Sequence, residues 1–183
     1  CEIISSGDEM ARKTVQVIPA AGRLIRSLRD VGYDFVHAVA DLVDNSVAAK
    51  AGEVAIDMRF DGEDSWLRIA DNGTGMSGTM ITEAMRFGSE RDYDTDDFGK
   101  FGLGLKTASL SQCSRLTVAS RVDQDARRIE VRQWDLEHVE STNRWEIIDL
   151  PAGERPEHLV SPLQDRPGTV VLWEQMDRVL GYK

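Results

Sequence analysis

The sequence predicts an α+β domain, a two-layer sandwich with a mixed, mostly antiparallel sheet and its helices on one face. Three observations carry this. Residues 19 to 51 are strongly helical in pattern, a hairpin of alternating residues follows at once, and four more strand patterns fill the C-terminal half with no repeated helix between them. The chain has 183 residues, 41% of them apolar, which suits one domain with or without short appendages.

The elements follow in order. Residues 1–18 form a charged lead-in with no secretory pattern, and the cysteine at position 1 suggests a trimmed chain. "AAGRLIRSLRDVGY" puts Leu24, Ile25 and Leu28 at helical spacing. After Gly32, "DFVHAVADLVDNSVAAKAG" carries Phe35, Val36, Val39, Leu42, Val43 and Val47, and Gly52 closes it. "EVAIDMRF" alternates, with Val54, Ile56 and Met58 on one side. "DGEDS" turns the chain, and "WLRIADN" returns with Leu67 and Ile69 inward. "TMITEAMRF" is a short helix, and residues 88–101 are polar, acidic and bounded by glycine. "GLKTASLSQCS" is again helical. "RLTVASRV", "ARRIEVRQWDL", "RWEIIDL" and "GTVVLWEQM" then read as strands. Trp134 and Trp145 read as strand packing rather than as a recognition surface.

Composition excludes several functions. No run of about 18 apolar residues is present, so no membrane helix is expected. Two cysteines, Cys1 and Cys113, make no disulfide framework and point to a reducing, cytoplasmic setting. His37, His138 and His158 lack metal-ligand spacing. A net charge of −10 argues against direct nucleic-acid binding, so a bound anion must be held by local geometry.

Three short motifs carry possible chemistry. In "DLVDNS", Asp41 and Asn45 are four residues apart, about 40° round a helix and so on one face. Such a pair could activate a water through Asp41 and ligate Mg²⁺ through Asn45; it could also be a solvated helix face. In "ADNGTGM", Asp71 could meet a buried donor such as an adenine amino group. Gly73 and Gly75 would admit a flat ring, and Met76 would pack on it; a plain Asp-Asn-Gly turn is the alternative. "FGKFGLGLKTAS" is glycine-rich with one lysine. It is not a P-loop, because Leu105 and not glycine precedes Lys106. It is not a dinucleotide fingerprint, because Thr107 stands where the third glycine would fall. An anion cradle at a helix start, or a flexible loop, fits it.

In this order and spacing the motifs resemble those of the GHKL (Bergerat-fold) ATPases, which include type II topoisomerases, a heat-shock chaperone, MutL and histidine kinases. "DLVDNS" resembles the N-box, "DNGTGM" the first glycine box, "FGKFGLGLKTAS" the second, and "PGTVVLW" the late strand whose threonine, here Thr169, sits near adenine. "AMRFGSERD" with the lysine-bearing second box resembles the MORC-like branch. The resemblance spans about residues 20 to 175, and implies a domain over 19–178 with a lid at about 77–101. It implies ATP and Mg²⁺ as ligands, with Asn45 on the metal, Asp71 selecting adenine, and Asp41 as the base. Gly102, Leu103, Gly104 and Leu105 would hold the β- and γ-phosphates through their N–H groups, and Lys106 would balance their charge. It further implies an ATP-dependent homodimer in the full-length protein, with nucleic acid contacted only through other domains. The expected activity is weak, because relatives take a γ-phosphate lysine from a following transducer domain, and residues 179–183 look like a truncated end.

Two positions depart from the family pattern. Asp41 stands where hydrolytic members usually have glutamate, and Ala48 where several have aspartate. Three expectations stay open: a slow ATPase, a non-hydrolysing ATP-binding switch, which the shorter acid motivates, or the ATP-binding half of a histidine kinase. The last lacks a phosphoacceptor-histidine helix pair.

Overall fold

The computed structural model describes residues 14–30, 33–88, 104–122 and 128–179. In chain order the elements are α1 (Ala21–Arg29), α2 (Phe35–Ala48), β1 (Val54–Arg59), β2 (Trp66–Asp71), α3 (Gly78–Ala84) and α4 (Gly104–Leu110). Then come β3 (Arg115–Arg121), β4 (Glu130–Asp135), α5 (Leu136–Thr142), β5 (Ile148–Asp149), α6 (Glu157–Val160) and β6 (Gly168–Glu174). The strands form one sheet in the order β1-β2-β6-β3-β4-β5, and every pairing is antiparallel. The α+β sandwich expected from the sequence is the fold observed.

Alternation along the strands sorts the core onto two faces. Leu67 and Ile69 of β2, Val171 and Trp173 of β6, Leu116 and Val118 of β3 and Trp134 of β4 meet α1 through α5 in the main cluster. Their neighbours Ala70, Val170, Leu172, Ala119 and Val131 point the other way, where Leu159 and Leu163 cover them. The large helical layer thus lies on one face, as expected. Short turns over 152–163, invisible as a pattern, close the other.

α2 packs differently from its sequence pattern. Its buried stripe is Ala38, Leu42 and Ser46, while Val36 and Val47 are 72% and 63% exposed. Leu42 fills the core between the smaller Ala38 and Ser46, and Ser46 reaches Asp71 of β2. Caps fix the helix ends. The Asp34 carboxylate accepts from His37 N at 3.0 Å, and Ser77 Oγ accepts from Met80 N at 3.3 Å. The strand expected from "ARRIEVRQWDL" stops at Asp135, whose carboxylate caps α5 by accepting from Glu137 N at 3.0 Å. The strand expected from "RWEIIDL" is only two residues long.

Candidate active site

The site is built where β2 ends beneath α2. Strand alternation continues from Leu67 and Ile69 to Asp71, so its carboxylate faces the helical layer. Across the ladder Asp71 pairs with Thr169 of β6, and Thr169 with Ser120 of β3. These three residues form one polar row over three adjacent strands on an otherwise apolar face.

Asp71 is buried and takes hydrogen bonds from three segments. Ser46 Oγ of α2 donates to Oδ2 at 3.0 Å, while Gly73 N at 2.9 Å and Thr169 N at 3.2 Å donate to Oδ1. A carboxylate offers about four lone-pair sites. Oδ2, with one donor, keeps a place for another. Burial raises the Asp71 carboxyl above its ordinary range, against the opposing pull of Gly73, Ser46 and Thr169.

The first glycine box is stapled into place. Thr74 N donates to Ala49 O at 3.0 Å, and Met76 N to Ser120 Oγ at 2.8 Å. Ser120 Oγ itself donates to Gly168 O at 2.7 Å and lies 2.9 Å from Thr169 Oγ1. Both glycines have packing reasons within the chain. A Cβ on Gly73 would lie 2.7 Å from Ala49 O. Gly75 has φ +70°, and a Cβ there would lie 2.0 Å from Arg121 O. Asn72 Oδ1 accepts from Gly52 N and Glu53 N, both at 2.9 Å, tying the box to the start of β1.

Asp41 and Asn45 lie one turn apart on α2, Asp41 half-buried and Asn45 exposed. Asp41 Oδ2 sits 3.7 Å from where a Cβ of Gly104 would be, so the carboxylate abuts the first residue of α4. On its other side is Tyr33. Burial first, then a hydrogen bond to Asp41, hold the Tyr33 phenol above the usual tyrosine range. Gln112 Nε2 donates to Tyr33 O at 2.7 Å and so fixes that residue from the end of α4. Ala48 is exposed, and nothing in the structure explains the departure at that position.

Contacts join Asp71 to Gly73 and Thr169, Met76 to Ser120 and Asp41 to Gly104, while Asn45 lies exposed on α2 and Leu105 packs against the main core. Gly102 and Leu103, with most of the expected lid, lie outside the described residues. Lys106 is a correction. Its side chain is buried, and Nζ donates to Ala84 O at 2.9 Å and Arg86 O at 2.7 Å, so the ammonium expected at the phosphates is turned into the protein. Ser46 and Ser120 were missed. The signal for Ser120 was a hydroxyl at a core-facing position, two residues on from Val118.

Ligand chemistry fits these residues in part. The free acceptor position on Asp71 suits an exocyclic amino group, and the Asn45 amide is an exposed oxygen donor. Among the described residues no group of three acidic, histidine or cysteine side chains could hold a metal. A cation would have to arrive with phosphate oxygens. The histidines are otherwise engaged: His37 with Asp34, His138 with Glu146 at 3.0 Å, and His158 stacked on Trp66. Among the described residues no helix is long and apolar enough to cross a membrane.

The sequence model of the histidine kinase-, DNA gyrase B-, and HSP90-like ATPases matches residues 33–169. The DNA mismatch repair protein MutL of Fervidobacterium nodosum is 31% identical over 113 residues, 58% of this chain and 19% of that protein. MutL of Haemophilus influenzae is 30% identical over 138 residues, 73% of this chain and 19% of that protein. The chain thus spans about a fifth of the length of these relatives. The chain belongs to the histidine kinase-, gyrase B- and HSP90-like ATPase family, and is an ATP-binding module of that kind.

Two predictions arise here. Ser46→Ala removes one of the three hydrogen bonds that hold the Asp71 carboxylate, worth about 1.5–3 kcal/mol to the folded state, so the domain is expected to unfold at a lower temperature. Thermal unfolding against wild type checks this. Acid is expected to weaken ATP binding at a higher pH than an ordinary aspartate would, because the raised Asp71 carboxyl protonates earlier and loses an acceptor. The stability sign is opposite. A carboxyl raised by folding favours the folded state in acid, and that contribution is lost as pH rises through its folded value. Parallel titrations of ATP affinity and unfolding free energy from pH 7 downward separate the two.

Proposed function

We propose that this domain binds Mg²⁺–ATP and hydrolyses it slowly, and that the nucleotide state drives lid closure and homodimerisation in a larger ATP-gated machine. The observation that carries this reading is the Asp71 carboxylate, buried, held by donors from three segments and with only one of them on Oδ2. Asp71 would accept the adenine amino group, and Met76 would pack on the ring. Thr169 and Ser46 would keep the carboxylate oriented. Asn45 would hold Mg²⁺ through its amide oxygen; the metal, arriving with ATP, would neutralise phosphate charge. Gly102 to Leu105 would offer N–H groups to the phosphates. Asp41 would orient and deprotonate the attacking water.

The setting is a reducing, cytoplasmic one. Burial pushes the Cys113 thiol well up, which suits an unreactive core residue. Since the relatives named above are mismatch repair proteins, DNA is a candidate target for the whole machine, reached through other domains because this one is acidic. The lysine-bearing second box keeps a MORC-like machine in view as well. A second reading, a switch that binds ATP without hydrolysing it, is favoured by Asp41 standing one methylene short of the usual glutamate. Calorimetry with Mg²⁺–ATP, followed by single-turnover hydrolysis on the same samples, tests both readings. Absence of binding by wild type would overturn both, and binding without turnover would leave only the switch.

A further inference from the structure

Lys106 has the most unexpected placement in the domain. It is the third residue of α4 and is 1% exposed. Its ammonium donates to two carbonyls, Ala84 O and Arg86 O, and lies 5.9 Å from the centre of the Phe87 ring. The carbonyl between them, Met85 O, accepts from Trp134 Nε1 at 2.9 Å. The end of a helix leaves its last carbonyls without intrahelical partners. At the end of α3, three consecutive carbonyls are taken by side chains from α4 and β4.

The capture comes without a counter-ion. Among the described residues no carboxylate lies within ion-pair distance of Lys106; Glu83 acts on it only through its field. Burial therefore dominates and lowers the amine to about 8. An ammonium has three donors. Two are used on carbonyls and the remaining face meets an aromatic ring. Turning outward to a phosphate would uncap both carbonyls and abandon the ring.

α3 is capped by Ser77, directly after Met76 of the first glycine box, and α4 begins at Gly104 of the second. Lys106 joins the far end of the first to the first turn of the other. We propose that Lys106 is a positioning residue that fixes the two nucleotide-contacting boxes relative to one another, and that it is not a ligand of the phosphates. This rests on the ATP reading above.

The test is calorimetry of Mg²⁺–ATP and of adenosine binding to wild type and Lys106→Met at pH 8, in two buffers of different ionisation enthalpy. Methionine is a flexible, unbranched replacement that fills similar space. An amine that stays in its carbonyl cage keeps its proton affinity, so ATP binding should involve no proton uptake that the variant lacks. A move to the phosphates would raise its proton affinity, and wild type alone would take up about half a proton per ATP. The expected result is no Lys106-linked uptake, ATP affinity about tenfold weaker in Lys106→Met through misplacement of the second box, and adenosine affinity within about twofold. Trp134→Phe, which frees the Met85 carbonyl from the opposite side, should weaken ATP in the same direction while sparing adenosine. Uptake present in wild type and lost in the variant overturns the proposal, as does unchanged ATP affinity in both variants. Wild type that binds no ATP sinks the nucleotide reading and this one together; wild type that binds while both variants match it sinks only the positioning role.

Discussion

Asp71→Asn is expected to lower ATP affinity by at least ~100-fold, because it exchanges the charged acceptor of a buried donor for a neutral amide. The fold should survive the change. The Asn oxygen can still accept from Gly73 N and Thr169 N, and the new amide group can donate to Ser46 Oγ, which is free to turn from donor to acceptor. Removing a carboxylate that burial disfavours also lifts a desolvation cost. What cannot be repaired is the free position on Oδ2, which would now present a donor to the donor of adenine. Melting temperature close to wild type, together with lost ATP binding in calorimetry, is the expected pair of results. Retained binding would remove Asp71 from the site. Loss of folding would mean that its three hydrogen bonds serve the sheet and α2 instead.

The parts of this site that were legible in the sequence are those set by local period. Leu67, Ile69 and Asp71 share a strand face by alternation alone, and Asp41 and Asn45 share a helix face by the 3.6-residue repeat. Ser120 was not legible, because its approach to Met76 and Thr169 depends on β3 pairing with β6, a neighbour in space whose place in the sheet no local pattern specifies. Ser46 was hidden differently. The apolar pattern of α2 drew attention to Val36 and Val47, whereas the buried stripe runs through Ala38, Leu42 and Ser46. α5 was obscured because only Leu136 and Val139 of its seven residues are buried, and it follows β4 without a loop. The buried placement of Lys106 was not foreseen, because the resemblance to the second glycine box put it at the phosphates. Its own spacing held the correction: Lys106, Leu110 and Cys113 stand at i, i+4 and i+7, on the face that enters the core.

Asp41→Asn is expected to cut single-turnover hydrolysis by at least ~100-fold while leaving ATP affinity within about threefold, since general-base catalysis contributes on the order of 10²–10⁴. The geometry argues that aspartate is long enough here. The Asp41 carboxylate already abuts Gly104, the first residue of α4. Tyr33 closes the other side with a phenol that stays protonated and can donate to the carboxylate. A glutamate would carry its carboxylate about one methylene away from its present contacts with Tyr33 and Gly104, and a displacement near 1 Å can cost ~100-fold. Asp41→Glu should therefore hydrolyse no faster than wild type. The switch reading expects the reverse: a wild type that barely turns over, and a large gain once the reach of the acid is restored. A rate that rises sharply in Asp41→Glu would show that the native site holds ATP without cleaving it. A rate that falls in both variants would place the base at Asp41, in a site already drawn in to meet the shorter side chain.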